Sequence, residues 1–133
     1  MKRIRNSIAI LIIGTTVFLA SCAKEEESDA RDKFVGSWTC NETSQQQGNS
    51  TYTMSVSKDV TSSNNIIAKN FYNLGNSTNT IMVIDGNNIN IQSQVVSGYT
   101  INGSGTYSNG GFSLSFSADD HQTVDHATVS AHH

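Results

Sequence analysis

The chain has 133 residues and a formal net charge of −3, from eight basic and eleven acidic side chains. This length fits one folded domain preceded by a short leader. No cluster of Lys and Arg follows Lys33, and this argues against nucleic acid or anionic lipid headgroups as partners, since both require a basic patch. Proline is absent, and Ser, Thr and Asn together make up about a third of the chain.

A basic head and an apolar stretch open the sequence. Lys2, Arg3 and Arg5 precede the run IAILIIGTTVFLA at residues 8–20. That run is too short for a comfortable bilayer span, so the pattern predicts a secretory signal peptide over residues 1–21 rather than a membrane helix. Its removal would leave five basic and eleven acidic residues, a formal charge of −6.

Leu19, Ala20, Ser21 and Cys22 stand where the apolar run ends. They resemble the lipobox of bacterial lipoproteins at all four positions. The resemblance implies that Cys22 becomes the mature N-terminus and carries a diacylglycerol group and an N-acyl chain. Two or three acyl chains hold a protein durably on a membrane, whereas one holds it only marginally. The alternative is a conventional signal peptide followed by an incidental cysteine.

The segment after Cys22, AKEEESDARDK, is charged and contains no large apolar residue. Such a segment cannot offset the entropy of its own ordering, and residues 22–33 are therefore predicted to form a lipidated cysteine with a flexible acidic tether. Residues 24–27, KEEE, resemble the surface-export signal of Bacteroidetes lipoproteins. This resemblance implies a lipid-anchored protein of the cell outer membrane that is displayed at the surface. Retention on the periplasmic face is the alternative.

From residue 34 to residue 133 the sequence alternates apolar and polar residues with a period of two, and no sustained helical period appears. This pattern is typical of half-buried strands. Glycine-containing turn sequences, DGN at 85–87, SG at 97–98 and SNGG at 108–111, favour tight hairpins. The predicted strands are 34–41, 50–57, 65–73, 80–85, 88–96, 99–108, 112–118 and 123–131.

Eight short strands joined by tight turns form an antiparallel meander whose two edges need protection. Closure into an eight-stranded up-and-down barrel removes the edges, and a β-sandwich is the alternative solution. The fold class predicted for residues 34–133 is therefore all-β, with the barrel preferred. Gly103 and Gly105 fall at alternate positions of one strand, where glycine suits a sharp bend or a close approach.

A glycine and a tryptophan, Gly36 and Trp38, stand in the first predicted strand. A Gly-x-Trp triplet that opens an antiparallel meander resembles the lipocalin and avidin group, the calycins. The resemblance implies a barrel with Trp38 packed across its closed end. Together with Cys22 it makes the chain similar to small Bacteroidetes lipoproteins with lipocalin-like domains. The chain departs from the avidins in having a single Trp, and it is shorter than the larger lipocalins.

Aromatic residues alternate onto the predicted inner face. Core packing is the ordinary role of such residues, and the functional alternative is a cavity for an apolar or ring-shaped ligand. Four of them are predicted to line such a cavity: Tyr99, Tyr107, Phe112 and Phe116. The function predicted from these features is noncovalent binding of a small apolar or glycan-like ligand by a monomer. The alternative is a protein-interaction module, either an enzyme inhibitor or an accessory subunit of an envelope complex.

The sequence contains no nucleophile elbow, zinc-protease motif or phosphate loop, and we expect neither catalysis nor a cofactor. His121, Asp125 and His126 are weak candidates for metal ligands, but their spacing matches no strong motif and no metal is predicted. Cys40 is alone if Cys22 is acylated, and a lone cysteine is usually a small buried apolar residue. Glu42 is expected in a loop or at a strand end.

Overall fold

The computed structural model describes residues 28–133, which form a closed antiparallel barrel of eight strands in sequence order. This architecture confirms the predicted fold class, and all eight predicted strands are present. Their bounds are β1 Gly36–Ser44, β2 Gly48–Lys58, β3 Asn65–Lys69, β4 Asn79–Asp85, β5 Asn88–Val96, β6 Tyr99–Ser108, β7 Gly111–Asp119 and β8 Val124–His132. No helix in residues 28–133 is long and apolar enough to cross a membrane.

Closure depends on the pairing of the first strand with the last. β1 pairs with β8 from Thr39 opposite His132 to Ser44 opposite Ala127, while its other side pairs with β2. This ladder leaves neither terminal strand with an open edge, which distinguishes the fold from the β-sandwich considered as the alternative. Tight turns join five of the seven pairs of successive strands, and three of them, β4–β5, β5–β6 and β6–β7, are the turns that the glycine-containing sequences predicted.

The barrel interior is filled with apolar side chains supplied by all eight strands. Residues at alternate positions point inward, as in Phe112, Leu114 and Phe116 of β7, and the serines between them point outward. Burial of one such large side chain contributes about 1.5–3 kcal/mol relative to exposure. The period-two pattern therefore determines which face of each strand becomes the core.

The N-terminal segment closes one end of the barrel, which we call the proximal end and define by Gly36 and His132. Phe34 is fully buried, and the indole Nε1 of Trp38 donates to its carbonyl oxygen at 2.7 Å. The Phe34 ring packs edge-on against Tyr107, with 5.3 Å between the ring centroids. A turn at Asp32–Phe34 takes the place of the predicted start of the first strand, which begins at Gly36 instead.

Arg31 fixes this segment to the barrel. Its guanidinium pairs with Asp29 at 2.7 Å and donates to the backbone carbonyls of Asp59, Ser62 and Asn65 at 2.7 to 3.1 Å. These bonds connect the chain before β1 to the loop between β2 and β3. Residues 29–33, predicted to belong to the tether, therefore contact the barrel.

The opposite or distal end, defined by Ser44 and Val124, is covered by the β3–β4 connection. The predicted third strand, 65–73, ends early at Lys69 because Asn70 adopts a left-handed conformation with φ of 62°. A short turn at Phe71–Asn73 follows and buries both Phe71 and Tyr72. The chain thus closes both ends of its own barrel.

Candidate functional site

Five polar side chains point into the distal end of the barrel and form what we call the distal polar cluster: Glu42, Ser44, Tyr52, Tyr72 and Asp125. Four of them come from strands and occupy inward positions in the regular alternation, and Tyr72 comes from the covering turn. All five are at least nine-tenths buried. Buried polar groups need hydrogen-bond partners, so the contacts within this cluster decide what it can do.

Asp125 is the central acceptor. Its Oδ2 accepts from the hydroxyls of Ser44 and Tyr72, each at 2.5 Å. Its Oδ1 accepts from the backbone N–H of Gln46 at 3.1 Å. Burial opposes the ionised form of Asp125, but these hydrogen bonds together outweigh it and lower the pKa of the carboxyl group. Asp125 therefore holds β1, β8 and the covering turn together as a carboxylate.

The environment of Glu42 stabilises an ionised carboxyl group less than the environment of Asp125 does. The Glu42 Oε2 accepts from the Tyr52 hydroxyl at 2.7 Å, and the same Tyr52 oxygen accepts from the backbone N–H of Tyr72 at 3.2 Å. Burial, and then the charge of Asp125, raise the pKa of Glu42 although the Tyr52 bond opposes the shift. Two carboxyl groups in one buried cluster thus have pKa values shifted in opposite directions, a pattern that also occurs in catalytic pairs.

The cluster is nevertheless closed to solvent. Burial raises the pKa of both Tyr52 and Tyr72 well above the usual range, so both phenols remain protonated donors at neutral pH. Tyr72 packs edge-on between Tyr99 and Phe116, with ring centroids 5.4 and 5.5 Å away. In this arrangement the cluster fixes the turn over the barrel end and offers no open cleft for a substrate.

Cys40 precedes Glu42 on the same inward face and is fully buried. Burial, and then the nearby charge of Glu42, raise the pKa of its thiol to about 12. The thiolate is the reactive form of cysteine, and a pKa this high keeps Cys40 unreactive at neutral pH.

The four aromatic residues predicted to line a cavity lie at two different ends. Tyr107 and Phe112 pack against Phe34 at the proximal end. Tyr99 and Phe116 pack against Tyr72 at the distal end. The phenylalanines are buried and the tyrosines are partly buried against the core. Each pair therefore packs against a residue that closes the barrel.

The other predicted positions are also separated. Asp125 points inward and is buried, whereas His121 and His126 are exposed on the outside. Within residues 28–133, no group of three or more His, Cys, Asp or Glu side chains could hold a metal ion. Cys22, the predicted lipidation site, lies outside the described residues.

Gly36 and Trp38, the residues of the calycin-like triplet, lie at the proximal end. Trp38 is fully buried, and its ring packs against Phe112 with 4.7 Å between the centroids. The His133 ring also packs against Trp38, with 3.8 Å between the centroids. Trp38 therefore belongs to the packing that closes the proximal end of the barrel.

An open trough of about 560 Å³ lies on the outer wall of the barrel, across β6, β7, β8 and β1. The outward-facing side chains that line it are Thr43, Gln45, Asn102, Ser115, Ser117, His126 and Thr128. A second trough of about 260 Å³ lies on the same wall toward the proximal end. The sequence does not reveal this site because outward Ser and Thr are ordinary on solvated strands, and only the folded wall brings them together.

The chain matches no known protein family model, no curated protein and no solved structure. The closed eight-stranded barrel is compatible with a lipocalin-like fold.

Proposed function

We propose that this chain is a noncatalytic, lipid-anchored lipoprotein of the bacterial outer membrane, of lipocalin-like fold, that binds a ligand on its surface. The observation that carries the proposal is the position of open space. Phe34 closes the proximal end, Phe71 and Tyr72 close the distal end, and the open trough is on the outer wall. A barrel arranged in this way favours a glycan-like ligand bound outside over an apolar ligand enclosed within.

The proximal end also supports anchoring. The segment that would continue toward Cys22 leaves the barrel at this end, where Arg31 connects it to the β2–β3 loop. An anchor at Cys22 would place the proximal end toward the membrane. The outer wall and the distal loops would then remain accessible to a ligand or partner.

The test of anchoring is the intact mass of the protein isolated from its host membrane. We expect loss of residues 1–21 and added acyl mass on Cys22, and we expect the variant Cys22→Ala to lose both modifications. Protease treatment of whole cells then separates surface display from the periplasmic face. An unprocessed Met1, or a processed chain without acyl mass, would contradict the proposal.

A protein-interaction module is the second candidate, and exposed apolar residues on the barrel wall favour it. The backbone pairing of β4 with β5 ends at Val83 opposite Asn90. Beyond that point the Gln94 side chain bridges the two strands: its Oε1 accepts from the Ile81 backbone N–H at 2.8 Å, and its Nε2 donates to the Ile81 carbonyl at 2.7 Å. Ile81 and Val95 are 41% and 71% exposed beside this seam. Loss of partner capture in the double variant Ile81→Ser, Val95→Ser, with ligand binding retained, would select this candidate.

A further inference from the structure

The outer wall around the larger trough carries hydroxyl and amide groups but almost no charge. Among residues 28–133, the side chains that line either trough include no Asp, Glu, Lys or Arg. The ion pairs of Asp29, Arg31, Asp32 and Lys58 lie instead at the proximal end. Glu42 and Asp125 are inside the barrel, and Asp119 is the next outward residue of β7 beyond Ser117, so the trough lining is neutral with one carboxylate at its distal border.

This lining excludes several classes of occupant. A nucleic acid or an anionic polymer needs Lys or Arg to neutralise its charge. An apolar chain needs a surface of several large exposed apolar side chains, and this wall offers only Val124, next to His126 at the distal end of β8, since Val95 and Ile81 lie on strands outside the trough. An oligomer of neutral sugars has neither requirement, since its hydroxyl groups pair with hydroxyl and amide side chains.

Strand addition by an extended peptide is excluded for a different reason. Such a peptide would bind by adding a strand to an open edge. On this wall the backbone is already paired: the β6–β7 ladder runs from Thr100 opposite Asp119 to Ser108 opposite Gly111, and β8 pairs on both sides. Recognition here must therefore use side chains.

The two troughs lie end to end along the same strands. Ser115 of the larger trough and Ser113 of the smaller are successive outward residues of β7, and Thr128 and Ser130 stand in the same relation on β8. Across the strands, the four-stranded wall is about 14 Å wide at the usual spacing. A surface that is long and neutral suits a chain-like ligand better than a compact one.

We propose that the wall formed by β6, β7, β8 and β1 binds a neutral oligosaccharide along the two troughs. This inference rests on the proposed function for its setting at the cell surface, and it names the ligand class and the site. Ser115, Ser117 and Thr128 form the centre of the site, with Asn102 and His126 at its borders. Hydroxyl, amide and imidazole groups both donate and accept, as sugar hydroxyls do.

The experiment titrates the full chain with maltohexaose, xylohexaose and cellohexaose, and follows backbone amide resonances by NMR. We expect at least one of these probes to shift resonances of Ser115, Ser117 and Thr128 while those of buried Leu114 and Val129 move less. Hexagalacturonate, which is acidic, is expected to bind more weakly than the neutral probes.

The matched variants place the same charged side chain on two walls. Ser115→Lys fills the centre of the trough, and Thr53→Lys lies on the exposed face of β2, away from it. We expect Ser115→Lys to weaken binding about tenfold or more, which corresponds to about 1.4 kcal/mol, and Thr53→Lys to leave it unchanged.

Three results would overturn this inference. The first is that none of the neutral probes shifts the wall resonances at millimolar concentration. The second is that both lysine variants lose binding equally. The third is that sedimentation shows a native dimer that Ser115→Lys separates, which would mean that a second copy of the chain occupies the wall. If Ser115→Lys fails to fold, Ser115→Asn applies the same test with a smaller side chain. The mass of the N-terminus remains a separate measurement, so a failed anchor and a failed sugar site are distinguishable.

Discussion

At the residue scale, the distal end depends on the carboxylate of Asp125, which accepts from Ser44, Tyr72 and the Gln46 backbone. Asp125→Asn removes the negative charge and replaces one of the two acceptor oxygens with an NH2 group, which faces hydrogen-bond donors and cannot accept from them. Hydrogen bonds to buried charged groups contribute about 1.5–3 kcal/mol each and are not additive. We expect the free energy of unfolding in urea to fall by about 3 kcal/mol at pH 7.

The pH dependence of this loss follows from the lowered pKa of Asp125. A carboxyl group whose pKa is lower in the folded state stabilises the fold above its unfolded pKa, and that stabilisation disappears as the pH falls through the folded pKa. The difference between the native protein and Asp125→Asn should therefore shrink at acidic pH. A difference that stays constant down to pH 2 would contradict this account.

For Glu42, in the same cluster, we expect that removing the charge does not lower the free energy of unfolding. Its raised pKa means that folding is favoured below the unfolded pKa and that this benefit is lost as the pH rises through the folded pKa. Glu42→Gln keeps an acceptor for the Tyr52 hydroxyl and removes the charge. We expect unchanged or slightly increased stability in urea at pH 7. A loss as large as that of Asp125→Asn would show that the Glu42 charge itself is needed.

At the element scale, β6 depends on two glycines that face the barrel interior. A Cβ at Gly103 would lie 2.4 Å from the Ser115 carbonyl oxygen and 2.5 Å from the Phe116 Cβ. Gly103→Ala should therefore force the β6 and β7 backbones apart and lower the unfolding free energy by about 2–3 kcal/mol. Ser104→Ala, on the exposed face of the same strand, is the control and should change it by less than about 0.5 kcal/mol.

The connection between β3 and β4 depends on Asn70, whose side chain donates to the Thr53 carbonyl at 2.8 Å and accepts from the Gly75 N–H at 2.7 Å. Asn70→Gly loses both bonds but keeps the left-handed conformation, whereas Asn70→Ala loses both and adds about 1 kcal/mol of backbone strain. Thermal unfolding should therefore rank the native protein above Asn70→Gly and Asn70→Ala last. Equal stability of the two variants would mean that the turn changes its conformation.

The same elements explain what the sequence could predict. Alternation locates all eight strands because each strand buries one face, and the glycine-containing turns mark three of the seven connections between them. The end of β3 was misplaced because the apolar Phe71 and Tyr72 continue its pattern, while the φ of Asn70 redirects the chain. The sequence predicts Glu42 in a loop or at a strand end, whereas it lies within β1 and shares the inward face of Trp38 and Cys40. The alternation gave that signal, but a buried carboxylate contradicts the usual preference for apolar residues.

The outer trough could not be predicted because it depends on the register in which neighbouring strands pair, which places Asn102 opposite Ser117 and Ser117 opposite His126. Asn102, Ser117, His126 and Thr43 are far apart in sequence, and the β6–β7–β8–β1 order places them on one wall. The pairing of β1 with β8 supplies the last of these strands. Closure of the barrel is therefore the step that creates both the sealed interior and the proposed ligand surface.

At the scale of the whole molecule, that closure should make the two ends unfold together. Every strand has two neighbours in one continuous ladder, and buried side chains from all eight strands share one core. Trp38, the single Trp, reports on the proximal end by fluorescence, and hydrogen exchange of the Tyr72 amide reports on the distal end. We expect the free energy from exchange at Tyr72 to equal the global unfolding free energy from Trp38 fluorescence.

A much lower value at Tyr72 would mean that the distal turn opens while the barrel stays folded. The interior would then be accessible through that end, and the preference for a ligand on the outer wall would lose its main support.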